Sequence, residues 1–442
     1  MACSAIRSPI LRNRTVRHYA LAAAAQSSPA PVSDVQVLSN KITVAAIENN
    51  SPIAQVSVVL RAGSRNETYE TQGLTHLLRL AAGLTTSRAS TFGITRNIQQ
   101  MGGSLTAVAD RESIAYTLLV TRDKLGSALN FLEDIVTHQV FKPWELKDQA
   151  PRLRYELSTL PEVTRIVELL HKAAFRSGLG YSLYSPKRQI GKISTETLQH
   201  FVNTWYTGSR CAVVSTGVSL GEVSAFAANL KLPGSGGSCE PAKYCGGEMR
   251  KERNSPLATV AVAVESAGLD KEKDALAFAI LQQVAGTGPR AKWGTSTTPL
   301  YKSVASAAGS DPFAVTAFNA CYSDSGLFGF ILSSPANTAG SLTKAAYKWL
   351  RSPSLTDADI NRGKTDLKAA ILFGNDSQAA QLESLGQQAL FKGRVASPLA
   401  IANEVDKISA NDVKSVATKL SGKVSMAAIG DLSSVPYADQ LS

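Results

Sequence analysis

The sequence predicts an α+β protein made of two homologous domains, each a largely antiparallel sheet covered by helices. Three observations carry this. The chain repeats itself. Each half opens on alternating strand-like segments and then passes into longer helical patterns. A stretch rich in glycine, proline and serine separates the halves. The clearest repeat is "ENNSPIAQVSVVLRAG", beginning at Glu48, against "ERNSPLATVAVAVESAG", beginning at Glu252, a spacing of 204 residues. Both give E-x-N-S-P, then apolar residues at every second position, the mark of a half-buried strand.

Four further pairs keep the same order. "GLTHLLRLAAG" (73–83) has its counterpart in the apolar helix pattern of 277–288. "LTAVADRESIAYTLLV" (105–120) pairs with 315–332, and "HKAAFRSG" (171–178) with "QQALFKG" (387–393). Residues 193–220 pair with 408–435, each reading as a helix, a turn and a final strand. Residues 127–137 and 341–352 are amphipathic helices by their i, i+3/i+4 apolar spacing. Strands clustered with covering helices argue α+β. The first domain is placed at 40–231, a linker at 232–246 and the second domain at 247–442.

Residues 1–33 hold Arg7, Arg12, Arg14 and Arg17 and no acid, the first acid being Asp34. This composition is that of a mitochondrial transit peptide, assigned to 1–19, with "RHYA" a cleavage site after Tyr19. A flexible segment, 20–39, is expected before the first domain. Removing four arginines from 46 basic side chains leaves 42 against 35 acids, so the net charge falls from +11 to +7. With no Lys/Arg run to track phosphates, nucleic acid is not an expected partner. The composition, 44% apolar and 18% charged, suits large buried cores. The five cysteines, Cys3, Cys211, Cys239, Cys245 and Cys321, form no C-x-x-C and suit reduced thiols. No run of 18 uncharged apolar residues exists, so no transmembrane helix is expected.

The candidate site is the helix at 73–83. An H-x-x-E-H helix places two zinc ligands one turn apart with a glutamate base between them. Here the three positions hold His76, Arg79 and Leu80. Leucine cannot ligate, and a guanidinium repels a dication. The other histidines are His18, His138, His171 and His200, with no i, i+4 pair. His76 is therefore expected to be a partly buried, hydrogen-bonded histidine on a packed helix. A third, carboxylate ligand would fall near Glu156, which reads as a solvated glutamate on a charged helix. No phosphate-binding glycine loop or G-x-S-x-G elbow is present, and Gly102–Gly103 reads as a turn into a strand. The sequence thus predicts no catalytic residue, metal or cofactor.

The motifs G-x-x-H from Gly73, G-G-S-L-T-A-x-x-x-R-E-x-x-x-Y from Gly102 and L-H-x-A-A-F from Leu170 resemble the pitrilysin-type zinc peptidases, in particular the mitochondrial processing peptidases. Those peptidases carry H-F-L-E-H where this chain has His76, Leu77, Leu78, Arg79 and Leu80. "THLLRLA" (75–81), "LYSPKRQIGKI" (183–193) and "YSDSGLFGF" (322–330) are similar to degenerate family members that serve as core subunits of the mitochondrial ubiquinol–cytochrome c reductase. The resemblance implies two domains facing each other around a cavity, and a non-catalytic structural role on the matrix side of the inner membrane. The partners it implies are core protein 1, the cytochrome b and cytochrome c1 subunits and a second copy of the complex. Only His76 carries over as a zinc ligand, and the distal glutamate maps to Glu156 or, with a one-residue shift, to Tyr155. The glycine-rich loop of the peptidases' substrate-binding subunit is poorly matched by "GTGPRAKW" (286–293). The alternative reading is such a substrate-binding subunit, which would need an acidic wall to hold arginine-rich presequences.

Overall fold

The computed structural model describes residues 33–234, 236–288 and 297–441. The expected transit peptide lies outside the described residues, as does most of the expected flexible segment. Two sheets form. The first contains β1 (Ser33–Val37), β2 (Thr43–Ile47), β3 (Ile53–Leu60), β4 (Ser104–Ala109), β5 (Ile114–Thr121) and β6 (Cys211–Thr216), in the order β1-β2-β6-β3-β5-β4. The second contains β7 (Gly247–Glu252), β8 (Leu257–Ser266), β9 (Ala314–Cys321), β10 (Gly326–Pro335) and β11 (Val424–Gly430), in the order β7-β11-β8-β10-β9. Without β1 the two orders are the same. In each sheet one pair is parallel, β2 with β6 and β7 with β11, and the remaining pairs are antiparallel.

The sequence repeat maps onto this topology. Strands β3 and β8 begin at Ile53 and Leu257, directly after the two E-x-N-S-P segments. The pair 105–120 and 315–332 forms two hairpins, β4–β5 and β9–β10. Their turns close with Asp110 N donating to Ser113 O at 2.7 Å and Tyr322 N to Ser325 O at 2.9 Å. One expectation fails: residues 33–37, assigned to the flexible segment, form β1, paired antiparallel with β2. Five short residues with no helical period gave little sign of an edge strand, which gains its order from the ladder beside it.

Helices of the first half are α1 (Leu74–Leu80), α2 (Thr91–Gln100), α3 (Leu125–Thr137), α4 (Pro143–Asp148), α5 (Ala150–Thr159), α6 (Glu162–Phe175), α7 (Thr195–Trp205) and α8 (Leu220–Asn229). Those of the second are α9 (Glu272–Ala285), α10 (Pro299–Ala308), α11 (Ala339–Arg351), α12 (Asp357–Gly374), α13 (Gln378–Lys392), α14 (Pro398–Lys407) and α15 (Ala410–Thr418). One face of the first sheet packs Val56, Val58 and Leu118 against Leu78 of α1, Ile94 of α2, Leu132 of α3 and Leu198 of α7. The second sheet repeats this with Val260, Val262 and Phe328 against Ile280 and Leu281 of α9 and Leu342 of α11.

The other face of each sheet is covered by a helix from the opposite half. On α6, Ile166, Leu170, Ala174 and Phe175 pack on Ala261, Ala263, Leu327, Ala427 and Ile429 of the second sheet. On α13, Leu382, Leu385 and Ala389 pack on Ala45, Val59, Ala212 and Val214 of the first. These two helices carry the repeat pair 171–178 and 387–393. This corrects the expectation of half-buried strands: β3 is buried from Ala54 to Leu60 and β6 throughout. Alternate residues of each strand therefore face two different buried layers, a half's own helices on one side and the exchanged helix on the other, rather than core and water.

A charged clasp joins the halves beside this exchange. Arg65 reaches Glu112 Oε1 at 2.7 Å within the first half. It also grips Asp324 in the β9–β10 turn, with Nη1–Oδ1 at 2.8 Å and Nη2–Oδ2 at 2.5 Å. Its Nη2 also donates to the Glu240 carbonyl, which pins the connecting segment at that residue where a free linker was expected. Ser323 N donates to Glu112 Oε2 at 2.9 Å. Further along that segment, Cys245 N donates to Ala174 O at 2.7 Å. Removing one partner of a buried ion pair strands the other. Arg65→Met is therefore expected to lower unfolding free energy by about 3–5 kcal/mol, read by denaturant titration. A loss under about 1 kcal/mol would show that the clasp behaves as a surface pair.

Candidate functional site

Helix α1 owes its position to Gly73 and Glu67. Gly73 caps the helix at φ 88°, and a Cβ there would lie 2.4 Å from Ser185 Cα. Glycine alone combines that torsion with so close an approach. Glu67 is buried and accepts from Gly73 N, Thr75 N and Thr75 Oγ1, satisfying free N–H groups of the first turn. Burial pushes its carboxyl up to about 7 despite those three donors.

The approach of Ser185 fixes His76. Ser185 N donates to His76 Nδ1 at 3.1 Å, so Nε2 bears the proton of the neutral ring and donates to Glu156 Oε2 at 2.9 Å. The Tyr184 ring meets the imidazole edge-on at 5.4 Å. His76 is wholly buried, not partly so as expected, and burial lowers its pKa more than the neighbouring carboxylate raises it.

Glu156, read from sequence as solvated, is instead a partner of this helix. Arg79 Nη2 contacts the same Oε2 that His76 addresses, and Arg152 Nε lies 3.6 Å from Oε1. Burial alone would raise the Glu156 pKa, but the His76 hydrogen bond and the Arg79 charge hold it below the ordinary carboxylate value. Tyr155, the alternative position, is 66% exposed. Leu80 is buried in the first core beside Leu77 and Leu78. Zinc in a catalytic site needs three protein donors and an open position. Here His76 and Glu156 converge, the third position is a core leucine, and a guanidinium occupies the carboxylate oxygen a metal would use. The residues present do not fit a zinc ion. Among the described residues, no group of three histidine, cysteine, aspartate or glutamate side chains is placed to hold a metal.

A second buried histidine lies at the seam. His171 Nδ1 donates to Val167 O at 2.7 Å, leaving Nε2 to accept from Tyr322 OH at 2.7 Å across the halves. Beside it, Arg111 binds Glu168 Oε1 at 2.5 Å and the Tyr181 carbonyl at 2.6 Å. Burial, then the Arg111 charge, drives the His171 pKa well below 6.5. Between the halves lies a cavity of about 900 Å³. Its lining carries four acids, Asp110, Glu112, Glu272 and Glu404, and four bases, Lys273, Lys392, Arg394 and Lys407. Of the loop at 286–293, Gly286 to Gly288 are described and the rest lies outside the described residues. The seam residues Arg65, Asp324 and His171 were not picked out from the sequence as partners.

Two predictions arise. An unfolded histidine takes up a proton near 6.5, whereas folded His171 and His76 do so only at lower pH. At these two sites the unfolded state therefore binds more protons below 6.5, and their contribution to stability falls as pH falls, by up to about 1.4 kcal/mol per unit for each histidine, opposed by Glu67, whose folded carboxyl holds its proton up to about 7. His171→Asn should flatten that slope between pH 6.5 and 5 in denaturant titrations, and an unchanged slope would contradict the assignment. Separately, Arg79→Glu with Leu80→His restores a full donor set around His76 and Glu156. That double variant should take up zinc towards one per chain by metal analysis, while neither single variant does.

The residues 43–187 match the family model "Insulinase (Peptidase family M16)", and 192–367 match "Peptidase M16 inactive domain". The chain is 39% identical over 434 residues to the mitochondrial cytochrome b-c1 complex subunit 2 of Homo sapiens, covering 96% of this chain and 95% of that one. It is 38% identical over 414 residues to the Rattus norvegicus counterpart, covering 91% of each. To the mitochondrial-processing peptidase subunit alpha of Solanum tuberosum it is 29% identical over 424 residues, covering 93% of this chain and 84% of that one. With its doubled sheet topology, its His76–Glu156 pair and relatives that span it almost end to end, the chain belongs to peptidase family M16.

Proposed function

We propose that this chain is a non-catalytic structural core subunit of the mitochondrial ubiquinol–cytochrome c reductase, the cytochrome b-c1 complex. In this reading it supports assembly and stability of the complex on the matrix side of the inner membrane. The observation that carries the non-catalytic half is the Arg79 guanidinium on Glu156, with Leu80 in the core. That arrangement offers neither a base for water nor a third ligand for a metal. The assignment to the complex rests on the two subunit 2 relatives, which match at higher identity than the processing-peptidase subunit. Its partners are then core protein 1, the cytochrome b and cytochrome c1 subunits and a second copy of the complex. No described helix is long and apolar enough to cross a membrane, which suits a peripheral lobe. The equal numbers of acids and bases lining the cavity give no support to a site for arginine-rich presequences.

The test is purification from detergent-solubilised mitochondria through a tag on this chain. Haem b and haem c1 should co-elute at one of each subunit per chain. Metal analysis of the purified chain should find no stoichiometric zinc, and presequence peptides should remain uncut. One zinc per chain, with chelator-sensitive hydrolysis, would overturn the proposal.

A further inference from the structure

Away from α1, the turn between α5 and α6 faces the outer edge of the second sheet across a pocket of about 500 Å³. Five cationic side chains line it: Arg154 on α5, Arg165 on α6, Lys187 in the turn at 187–189, Lys251 on β7, and Arg253 just beyond that strand. Ser158 adds a hydroxyl at the α5 end, and no carboxylate contributes to the lining. Five like charges converging from both halves repel one another. Arg154, Lys187 and Lys251 are exposed and Arg165 and Arg253 half-buried, so solvent screens part of that repulsion, and an anion seated among them would offset the rest.

The protein itself offsets only part of it. Arg165 is held rigidly by backbone carbonyls, with Nε to Leu160 O at 3.0 Å and Nη2 to Leu157 O at 2.6 Å and Ser158 O at 3.2 Å. Those carbonyls orient the guanidinium and are neutral. Among the described residues, Arg154, Lys187, Lys251 and Arg253 have no carboxylate partner. Arg250, one residue before Lys251, turns to the other face of β7 and meets Glu248 there at 2.9 Å. Strand alternation therefore sorts the paired cation to one face and the unpaired one to the pocket. Lys251 titrates below its ordinary value, because of burial and then Arg253, Arg165 and Lys187.

We propose that this pocket binds an anion bearing two or more phosphate charges, with Arg154, Lys187, Lys251 and Arg253 as its ligating cations and Arg165 as a fixed wall. Guanidinium forks take phosphate oxygens in bidentate pairs, and lysines supply point charge. Two sources share this chemistry: a soluble diphosphate, and a lipid headgroup with two phosphates presented by a membrane. The inference does not depend on which complex the chain joins.

The experiment uses the full purified chain at low salt. Inorganic pyrophosphate is titrated calorimetrically. Binding to phosphatidylcholine vesicles, with and without cardiolipin, is followed by flotation. Pyrophosphate is expected to bind at one site and to weaken as salt rises. The Lys251→Gln/Arg253→Gln variant is expected to bind at least about tenfold more weakly, which is about 1.4 kcal/mol. Lys187→Gln lies in an exposed turn and serves as a second probe should the double variant unfold. Flotation with cardiolipin vesicles, lost in the same variants, assigns the lipid source; pyrophosphate binding without flotation assigns the soluble one. Neither ligand binding, or both binding with unchanged affinity in the variants, overturns the proposal. So does capture of polyglutamate alone, which would make the patch a protein contact.

Discussion

The exchange of one helix between halves is the constraint on which the rest of the molecule depends. A sheet covered on one face leaves the other in water, and here that second face carries a buried apolar patch in both halves. Ala45, Val59, Ala212 and Val214 on one sheet, and Ala261, Ala263, Leu327, Ala427 and Ile429 on the other, need a cover. Burying a Leu or Ile side chain is worth about 1.5–3 kcal/mol relative to leaving it exposed. Leu382, Leu385, Ile166, Leu170 and Phe175 together make separation of the halves costly. The alanines beneath them, Ala45, Ala212, Ala261, Ala263 and Ala427, let helix and sheet approach closely. Gly386 shows how closely, since a Cβ there would come within 3.0 Å of Val59 Cγ2.

Hydrophobic cover is non-directional, and by itself it leaves the angle between the halves loosely fixed. The polar seam supplies the direction. Arg65 addresses Asp324 through two nitrogens, and the forked geometry tolerates little rotation. His171 and Tyr322 add a neutral hydrogen bond across the same seam. Buried charges of this kind contribute little net stability over an apolar alternative, but they penalise every arrangement that leaves one of them unpaired. The exchanged helices hold the halves together, and the clasp decides how they meet.

The repeat was legible because it rests on local pattern: E-x-N-S-P before a strand, glycine after a helix, alternation within a hairpin. The paired segments 105–120 and 315–332 fold alike, as two hairpins, and the strand orders of the two sheets, which the sequence did not give, turn out equivalent. Residues β1 and the exchange were not legible. Residues 33–37 are ordered by a neighbour 10 or so residues away, with little intrinsic preference of their own. The pair 171–178 and 387–393 was visible as similar segments, but that each ends a helix, and which sheet that helix covers, is a tertiary fact. At the candidate site, His76, Arg79 and Leu80 could be judged from side-chain chemistry alone. The role of Glu156 could not, because it depends on α5 lying beside α1 after nearly eighty intervening residues.

That partnership explains how a helix of this family keeps its shape without the residues of a metal site. A carboxylate half-withdrawn from water and pointed at a neutral histidine needs a positive charge nearby, or it would be protonated or turned outwards. In a zinc peptidase a dication can supply that charge. Here Arg79 supplies it from the helix itself, one turn after His76, with Arg152 on the other oxygen. Arg79 therefore acts as a permanent counter-charge for the Glu156 carboxylate. Leu80 adds to the core under the same helix. The His76–Glu156 geometry then survives as a structural tie between α1 and α5, stabilised by a cation that is covalently part of the chain.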